Sequence, residues 1–128
     1  MVPLLPPQTT LLGGLELGGV PLATVLSAMT GHPAIFVRKK AKAYGTQRLA
    51  EGADVAGAHV TLIEDVVTTG GAVREATLAM RELGATVSTV VCAIDRSGNS
   101  RGSLLDVGLE TRAVLTKADL DDALSAEP

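Results

Sequence analysis

Aromatic side chains are almost absent from this chain: Phe36 and Tyr44 are the only two, and 128 residues contain no tryptophan. Platforms for stacking single-stranded nucleic acid are therefore lacking. The core has to be built from Val, Leu, Ile and Ala, the composition of a parallel sheet covered by helices. Cysteine is limited to Cys92, inside the apolar run Val90-Val91-Cys92-Ala93-Ile94. An internal disulfide is excluded, and a buried strand position is expected. No run approaches the ~18 apolar residues needed to span a bilayer. The N-terminus shows no basic segment leading into an apolar one, and Pro3, Pro6 and Pro7 interrupt it, so no signal peptide is read. Positive charge is not in excess either: a net charge of −3 gives no general pull toward nucleic acid or an anionic membrane. No His/Cys cluster suggests a protein-held metal, and His32 and His59 read as structural or exposed. The default expectation is a cytoplasmic protein with neither nucleic acid nor membrane as partner.

What is present is apolar and periodic. Hydrophobic residues make up 46% of the chain, enough for a core within a single domain, 1–128. Met1 to Gln8 is proline-rich and reads as a poorly structured lead-in. Thr9 to Gly13 reads as a first strand, and Gly13 to Gly19 as a glycine-punctuated turn whose spacing is not that of a dinucleotide fingerprint. Pro21 suits the first turn of a helix in which Leu22, Val25, Leu26 and Met29 share a face, with Gly31 as its stop. Pro33 to Val37 is a second buried strand, and Leu49 to Ala58 a return connection with turns at Gly52 and Gly57. A strand over Thr86 to Ile94, a short helix from Ser103 stopped by Gly108, a strand over Glu110 to Leu115 and a terminal helix over Lys117 to Ser125 complete the chain. There is no internal repeat.

The stretch Val60 to Val73 organises the rest. It opens as a buried strand and reaches two adjacent carboxylates, Glu64 and Asp65, where that strand is expected to end. Then Thr68-Thr69-Gly70-Gly71 opens a helix with Val73, Ala76, Met80 and Leu83 on one face. Ligands of α/β sheets bind beyond the carboxyl ends of the strands. A helix start after small residues offers unpaired N–H groups and a positive dipole end to an anion. A phosphate beside sugar hydroxyls fits the anion cradle and the two acceptor carboxylates together; the plainer alternative is a βα turn with an exposed acidic pair.

Two further segments are candidates. Arg38, Lys39, Lys40, Lys42 and Arg48 place five cations within the eleven residues 38–48 of an acidic protein, directly after a strand end. Most charge runs are solvated loops. This one is long for a small domain, suits a substrate with several phosphates and reads equally as a lid. Asp95-Arg96 again follows a strand; it is either a surface ion pair in a turn or a carboxylate grip, since a guanidinium holds a carboxylate through two parallel bonds. The Gly13–Gly19 turn stays open between a plain connection and a second anion loop.

These motifs resemble the type I phosphoribosyltransferases, and most closely their orotate branch, from Leu12 to Leu120. The hydrophobic strand, acid pair and Thr/Gly loop are similar to the signature for 5-phosphoribosyl 1-pyrophosphate (PRPP). Arg38, Lys39, Lys42, Tyr44 and Gly45 resemble the mobile catalytic loop R-K-x-x-K-x-[HY]-G, with Tyr44 where many members have histidine. Arg96 corresponds to the orotate-carboxylate arginine. Glu16, Leu17, Gly18 and Gly19 resemble the pyrophosphate loop, in which some orotate enzymes carry a lysine at the position of Gly18. The resemblance implies a three-layer α/β/α fold with a mainly parallel sheet, lacking the N-terminal hood that in full-length orotate enzymes precedes the first core strand and completes the base site. It implies transfer of the phosphoribosyl group from PRPP to orotate, in UMP biosynthesis, with Mg²⁺ arriving on PRPP rather than on protein ligands. Glu64 and Asp65 would meet the ribose hydroxyls. Val66 and Val67 would flank Thr68, Thr69, Gly70, Gly71 and Ala72 around the 5′-phosphate, with Thr68 also at orotate. Arg38, Lys39 and Lys42 would neutralise pyrophosphate, with Lys42 serving catalysis beside the acid pair. It further implies a homodimer whose loop residues are shared across the interface. A phosphoribosyltransferase for another base, or a non-catalytic PRPP-binding regulator, are the other readings.

Overall fold

The computed structural model describes residues 1–38, 50–51, 54–98 and 102–126. One sheet contains strands β1 (Leu11–Leu15), β2 (Ala34–Val37), β3 (Ala50–Glu51), β4 (Val60–Val67), β5 (Thr89–Asp95) and β6 (Glu110–Thr116), in the order β3-β2-β1-β4-β5-β6. All neighbours run parallel except the β2–β3 pair. The helices are α1 (Gly19–Thr30), α2 (Gly71–Glu82), α3 (Gly102–Leu105) and α4 (Lys117–Ser125). The expected α/β architecture is present. Among the described residues no helix is long and apolar enough to cross a membrane.

Two apolar clusters lie on the two faces of the sheet. Alternation along a strand sends successive side chains to opposite sides, so Leu11 and Leu15 join one cluster while Leu12 joins the other. The larger cluster holds Val73, Ala76 and Met80 of α2 and Leu104 of α3; the smaller holds Ala23 and Leu26 of α1. Hence α1 and α2 cover opposite faces. The strand order reverses between β1 and β4, the topological switch point at which such sheets open a crevice beyond their carboxyl ends.

Several sequence expectations are corrected in detail. Residues 2–4 form a short 3₁₀ turn, and Met1, Val2, Leu4 and Leu5 pack on the smaller cluster, so the proline-rich lead-in is ordered. Burial of those apolar side chains outweighs the loss of donors at the prolines, and Arg112 Nη1 ties the segment to the edge strand by donating to the Leu4 carbonyl at 2.9 Å. Gly13 and Gly14 lie inside β1 rather than in the turn. They are glycine because neighbours crowd them: a Cβ at Gly14 would stand 2.7 Å from the Gly19 carbonyl oxygen. In α1 the buried positions are Gly19, Ala23 and Leu26, while Val25 and Met29 of the expected apolar face are exposed. Residues 50–51 of the expected return connection add an antiparallel edge strand. β4 continues past the acid pair to Val67, held there by pairing of Val66 with Ile94 and Val67 with Asp95. β5 begins at Thr89, and Thr86 makes only an isolated bridge with His59.

The terminal helix and Gly108 behave as read. Thr116 caps α4, its hydroxyl accepting from the Asp119 N–H while Asp119 accepts from the Thr116 N–H. The backbone bond from Thr116, then its hydroxyl, lower the Asp119 carboxyl below its ordinary range. In α2 the expected stripe holds for three of its members, but Leu83 is 50% exposed whereas Met80 is 0% exposed. Truncating Met80 to alanine is therefore expected to destabilise the protein by about 2–5 kcal/mol in urea unfolding, against less than about 1 kcal/mol for Leu83→Ala.

Candidate functional site

Each candidate motif is carried to the same end of the sheet by a strand. Leu15 pairs with Val37, Gly14 with Ile63 and Val67 with Asp95 in parallel register. The residues that follow, Glu16 to Gly19, Arg38, Thr68 to Ala72, and Arg96, thus all leave the sheet at its carboxyl edge. Arg38 is half-buried, directly beyond β2. Lys39, Lys40, Lys42, Tyr44, Gly45 and Arg48 lie outside the described residues.

The loop after β4 forms a concavity of ≈ 110 Å³ lined by Glu64, Val66, Val67 and residues 68–73. Gly70 has φ +86°, a left-handed conformation that glycine takes without strain, and it turns the chain into α2. The Arg74 N–H closes the first helical turn on the Gly70 carbonyl at 2.8 Å. The N–H groups ahead of it face the concavity end of the helix, where the dipole is positive. Thr69 Oγ1 accepts weakly from the Gly71 N–H at 3.4 Å, and Thr68, Thr69, Gly71 and Ala72 are exposed to solvent. A Cβ at Gly70 would meet Leu104 at 3.0 Å, so α3 backs the loop from behind.

A second helix start lies across the switch point. The Glu16 N–H donates to the Val37 carbonyl at 2.9 Å, which fixes the exit of the loop after β1. The Glu16–Leu17 peptide is cis, Leu17 is exposed, and Gly18 caps α1. A Cβ at Gly19 would stand 2.2 Å from the Ile63 carbonyl oxygen, so the first turn of α1 rests directly on the backbone of β4. Gly18 and Gly19 thus lie against the acid pair.

The two carboxylates part company, as neighbours on a strand must. Glu64 is buried and lines the concavity of the α2 loop. Its Oε1 accepts from the Asp65 N–H at 3.0 Å. Asp65 is exposed, and its Oδ1 accepts from the Val66 N–H at 2.7 Å. Its carboxylate lies on the α1 side, against the Cα of Gly18.

After β5, Asp95 does not fit the surface-ion-pair alternative, because it lies inside the fold. Asp95 is buried, and its Oδ1 accepts both the backbone N–H and the hydroxyl of Ser97. This turn directs Arg96 outward, and the Arg96 N–H donates to the Val67 carbonyl at 2.8 Å, beside Thr68. Asp95 and Ser97 were not singled out as positioning groups, although Asp-x-Ser is a recognisable side-chain-to-backbone turn. Among the described residues no group of three His, Cys, Asp or Glu is arranged to hold a metal.

Comparison with known proteins agrees with this arrangement. A phosphoribosyl transferase domain matches residues 8–109. The chain is 68% identical over 126 residues to an orotate phosphoribosyltransferase of a Nocardioides species, covering 98% of this chain and 70% of that protein. It is 40% identical over 117 residues to the orotate phosphoribosyltransferase of Methanocella arvoryzae, covering 91% of this chain and 67% of that one. The structure of Mycobacterium tuberculosis orotate phosphoribosyltransferase in complex with PRPP is similar with a TM-score of 0.75 and 36% identity, across 88% of this chain and 65% of that chain. The chain thus spans less than two thirds of that solved enzyme. With the switch-point crevice, the two helix starts and the acid pair between them, these likenesses show that the chain belongs to the phosphoribosyltransferase family, among the orotate phosphoribosyltransferases.

Proposed function

We propose that this chain transfers the 5-phosphoribosyl group of PRPP to N1 of orotate, releasing pyrophosphate and orotidine 5′-monophosphate, a step of UMP biosynthesis. The observation that carries the reading is the meeting of two helix starts with an acid pair at one switch point. A pyrophosphorylated sugar phosphate needs two anion sites and a set of acceptors for its hydroxyls between them. The α2 loop, Thr68 to Ala72, suits the 5′-phosphate, and residues 16–19 suit the pyrophosphate. Glu64 and Asp65 suit the ribose hydroxyls.

In this reaction the bond from C1′ to the pyrophosphate oxygen breaks and the bond to orotate N1 forms. Positive charge builds on the sugar while negative charge builds on the leaving group. The chain's task is to hold the two reactants in line and to stabilise that separation. Arg38, Lys39 and Lys42 would supply cations to the leaving group, and a lid carrying them would exclude water from the activated sugar. Arg96 would grip the orotate carboxylate, with Thr68 beside it.

Mg²⁺ fits this scheme as a passenger of PRPP. The two carboxylates are hard oxygen donors of the kind it takes, but they face opposite sides of β4 and offer no shared coordination cage. Bound on the substrate's oxygens, the ion would neutralise part of the leaving charge. The reading also carries a homodimer that shares the 38–48 segment and a cytoplasmic location. Leu17, Val25, Met29 and Phe36 are apolar and exposed, which favours association.

Orotate consumption in the presence of PRPP and Mg²⁺, followed by ultraviolet absorbance, tests the proposal directly; no consumption at any PRPP concentration would end it. In the same assay Lys42→Ala should lower turnover at least about tenfold, equal to ~1.4 kcal/mol of transition-state stabilisation. Asp65→Asn should weaken PRPP binding by calorimetry, because an amide replaces one acceptor oxygen with a donor. Unchanged affinity would remove Asp65 from the ribose site.

A further inference from the structure

Asp95-Arg96-Ser97 sets an acid and a base side by side where β5 ends. Oppositely charged neighbours in an exposed turn could simply bind each other. Here they do not. Asp95 is 1% exposed and Ser97 7%, whereas Arg96 between them is exposed. Among the described residues the Arg96 side chain makes no ion pair. Asp95 Oδ1 is taken by Ser97, which donates to it twice, from its backbone N–H at 2.9 Å and from its hydroxyl.

The two donors are not equivalent. Any residue but proline offers an N–H at position 97, and an aspartate two residues earlier can capture it in a side-chain-to-backbone turn. A hydroxyl at this place comes only from serine or threonine. It meets a buried carboxylate, where a charge-assisted bond is stronger than one between neutral groups and a lost partner is costly. The turn is also fastened from the other side. Arg96 donates its own N–H to the Val67 carbonyl at 2.8 Å. Arg96 is thus gripped at both flanking peptide groups, by β4 on one side and by Asp95 on the other. Its backbone is fixed, and its side chain is not spent within the turn.

We infer that Ser97 is a positioning residue for the substrate carboxylate: its hydroxyl locks Asp95 into the turn, and the turn holds Arg96 outward with its guanidinium available to an incoming carboxylate. The inference rests on the proposed assignment of Arg96 to orotate. Without the hydroxyl, Asp95 Oδ1 keeps only the N–H of residue 97, and the turn loosens. A guanidinium on a loose turn has to be ordered when substrate arrives, and that ordering is subtracted from affinity. PRPP, held in the same reading by the α2 loop and residues 16–19, should feel little of the change.

The test is Ser97→Ala, read by steady-state kinetics with each substrate varied in turn and by thermal unfolding. The variant is expected to fold, with a midpoint less than about 10 °C below the parent. KM for orotate should rise at least about fivefold, while kcat at saturating orotate and KM for PRPP stay within about twofold. Ser97→Thr, which keeps the hydroxyl, should hold KM for orotate within about twofold of the parent. In an Arg96→Ala background Ser97→Ala should cost less than about twofold, because the group it positions is gone. General loosening of the protein would raise both Michaelis constants together or act equally in both backgrounds, and either result overturns the inference. So would an unchanged KM for orotate, a loss in Ser97→Thr equal to that in Ser97→Ala, or failure of Ser97→Ala to fold. A ligand-free crystal structure of Ser97→Ala reads the claim without substrate: an opened turn or a displaced Arg96 backbone supports it, and a turn that superposes on the parent overturns it. If the parent consumes no orotate, the proposed function fails, while that structure still decides what Ser97 holds.

Discussion

The close approach of α1 to β4 is the constraint on which the site depends. The first turn of a helix rarely lies against the backbone of a central strand, because side chains normally hold the two apart. Here Gly14 on β1 and Gly19 at the start of α1 remove the spacers together, and the Ile63 carbonyl fills the space a Cβ at Gly19 would take. The consequence is positional. A helix that belongs to one face of the sheet begins at the level where β4 ends, beside the acid pair. The α2 loop arrives at that same level from the opposite face. The two helix starts can address one ligand only because the strand order reverses between β1 and β4.

This explains which parts of the molecule were legible in the amino-acid sequence. The α2 loop is local: Thr68 to Gly71 follows its own strand and opens its own helix, so a short window contains the complete signal. Arg38 is legible for the same reason, being the first polar residue after an apolar run, and Arg96 follows such a run one residue later, after Asp95. The Gly13–Gly19 stretch misleads because glycine in a sequence reads as a turn. Gly13 and Gly14 are strand residues whose missing side chains make room for Val60, Leu62 and α1, contacts separated by up to tens of residues in sequence. The N-terminal segment misled through its prolines. Its apolar residues Met1, Val2, Leu4 and Leu5 match a face of the sheet that α1 leaves partly open, and no local pattern announces that match. The α1 stripe failed because a helix seated on glycine and alanine contacts the sheet through Gly19, Ala23 and Leu26, and turns Val25 and Met29 away.

The anion sites proposed above draw little on side-chain charge from the described residues. Two helix starts meet at the switch point, and Arg38 and Arg96 each follow a strand that ends at the same edge of the sheet. Backbone N–H groups are well suited to this role, since their positions are set by the fold and they cost no reorganisation when an anion arrives. A site built this way stays modestly charged when empty, in keeping with a chain of net charge −3.

The adjacency of Glu64 and Asp65 follows from the same geometry. Two acids one residue apart at a strand end cannot face the same way, because successive side chains alternate across the sheet. Glu64 turns to the α2 side and Asp65 to the α1 side, each beside the loop that belongs to its face. A sugar lying across the end of β4 would have one hydroxyl on each side of the strand, with its 5′ end toward one helix start and its anomeric end toward the other. Acids spaced two apart would both point to one face and leave the other loop without an acceptor. Sequence adjacency, which looks like redundancy, is in this fold the shortest spacing that lets a single strand end serve both faces of the crevice.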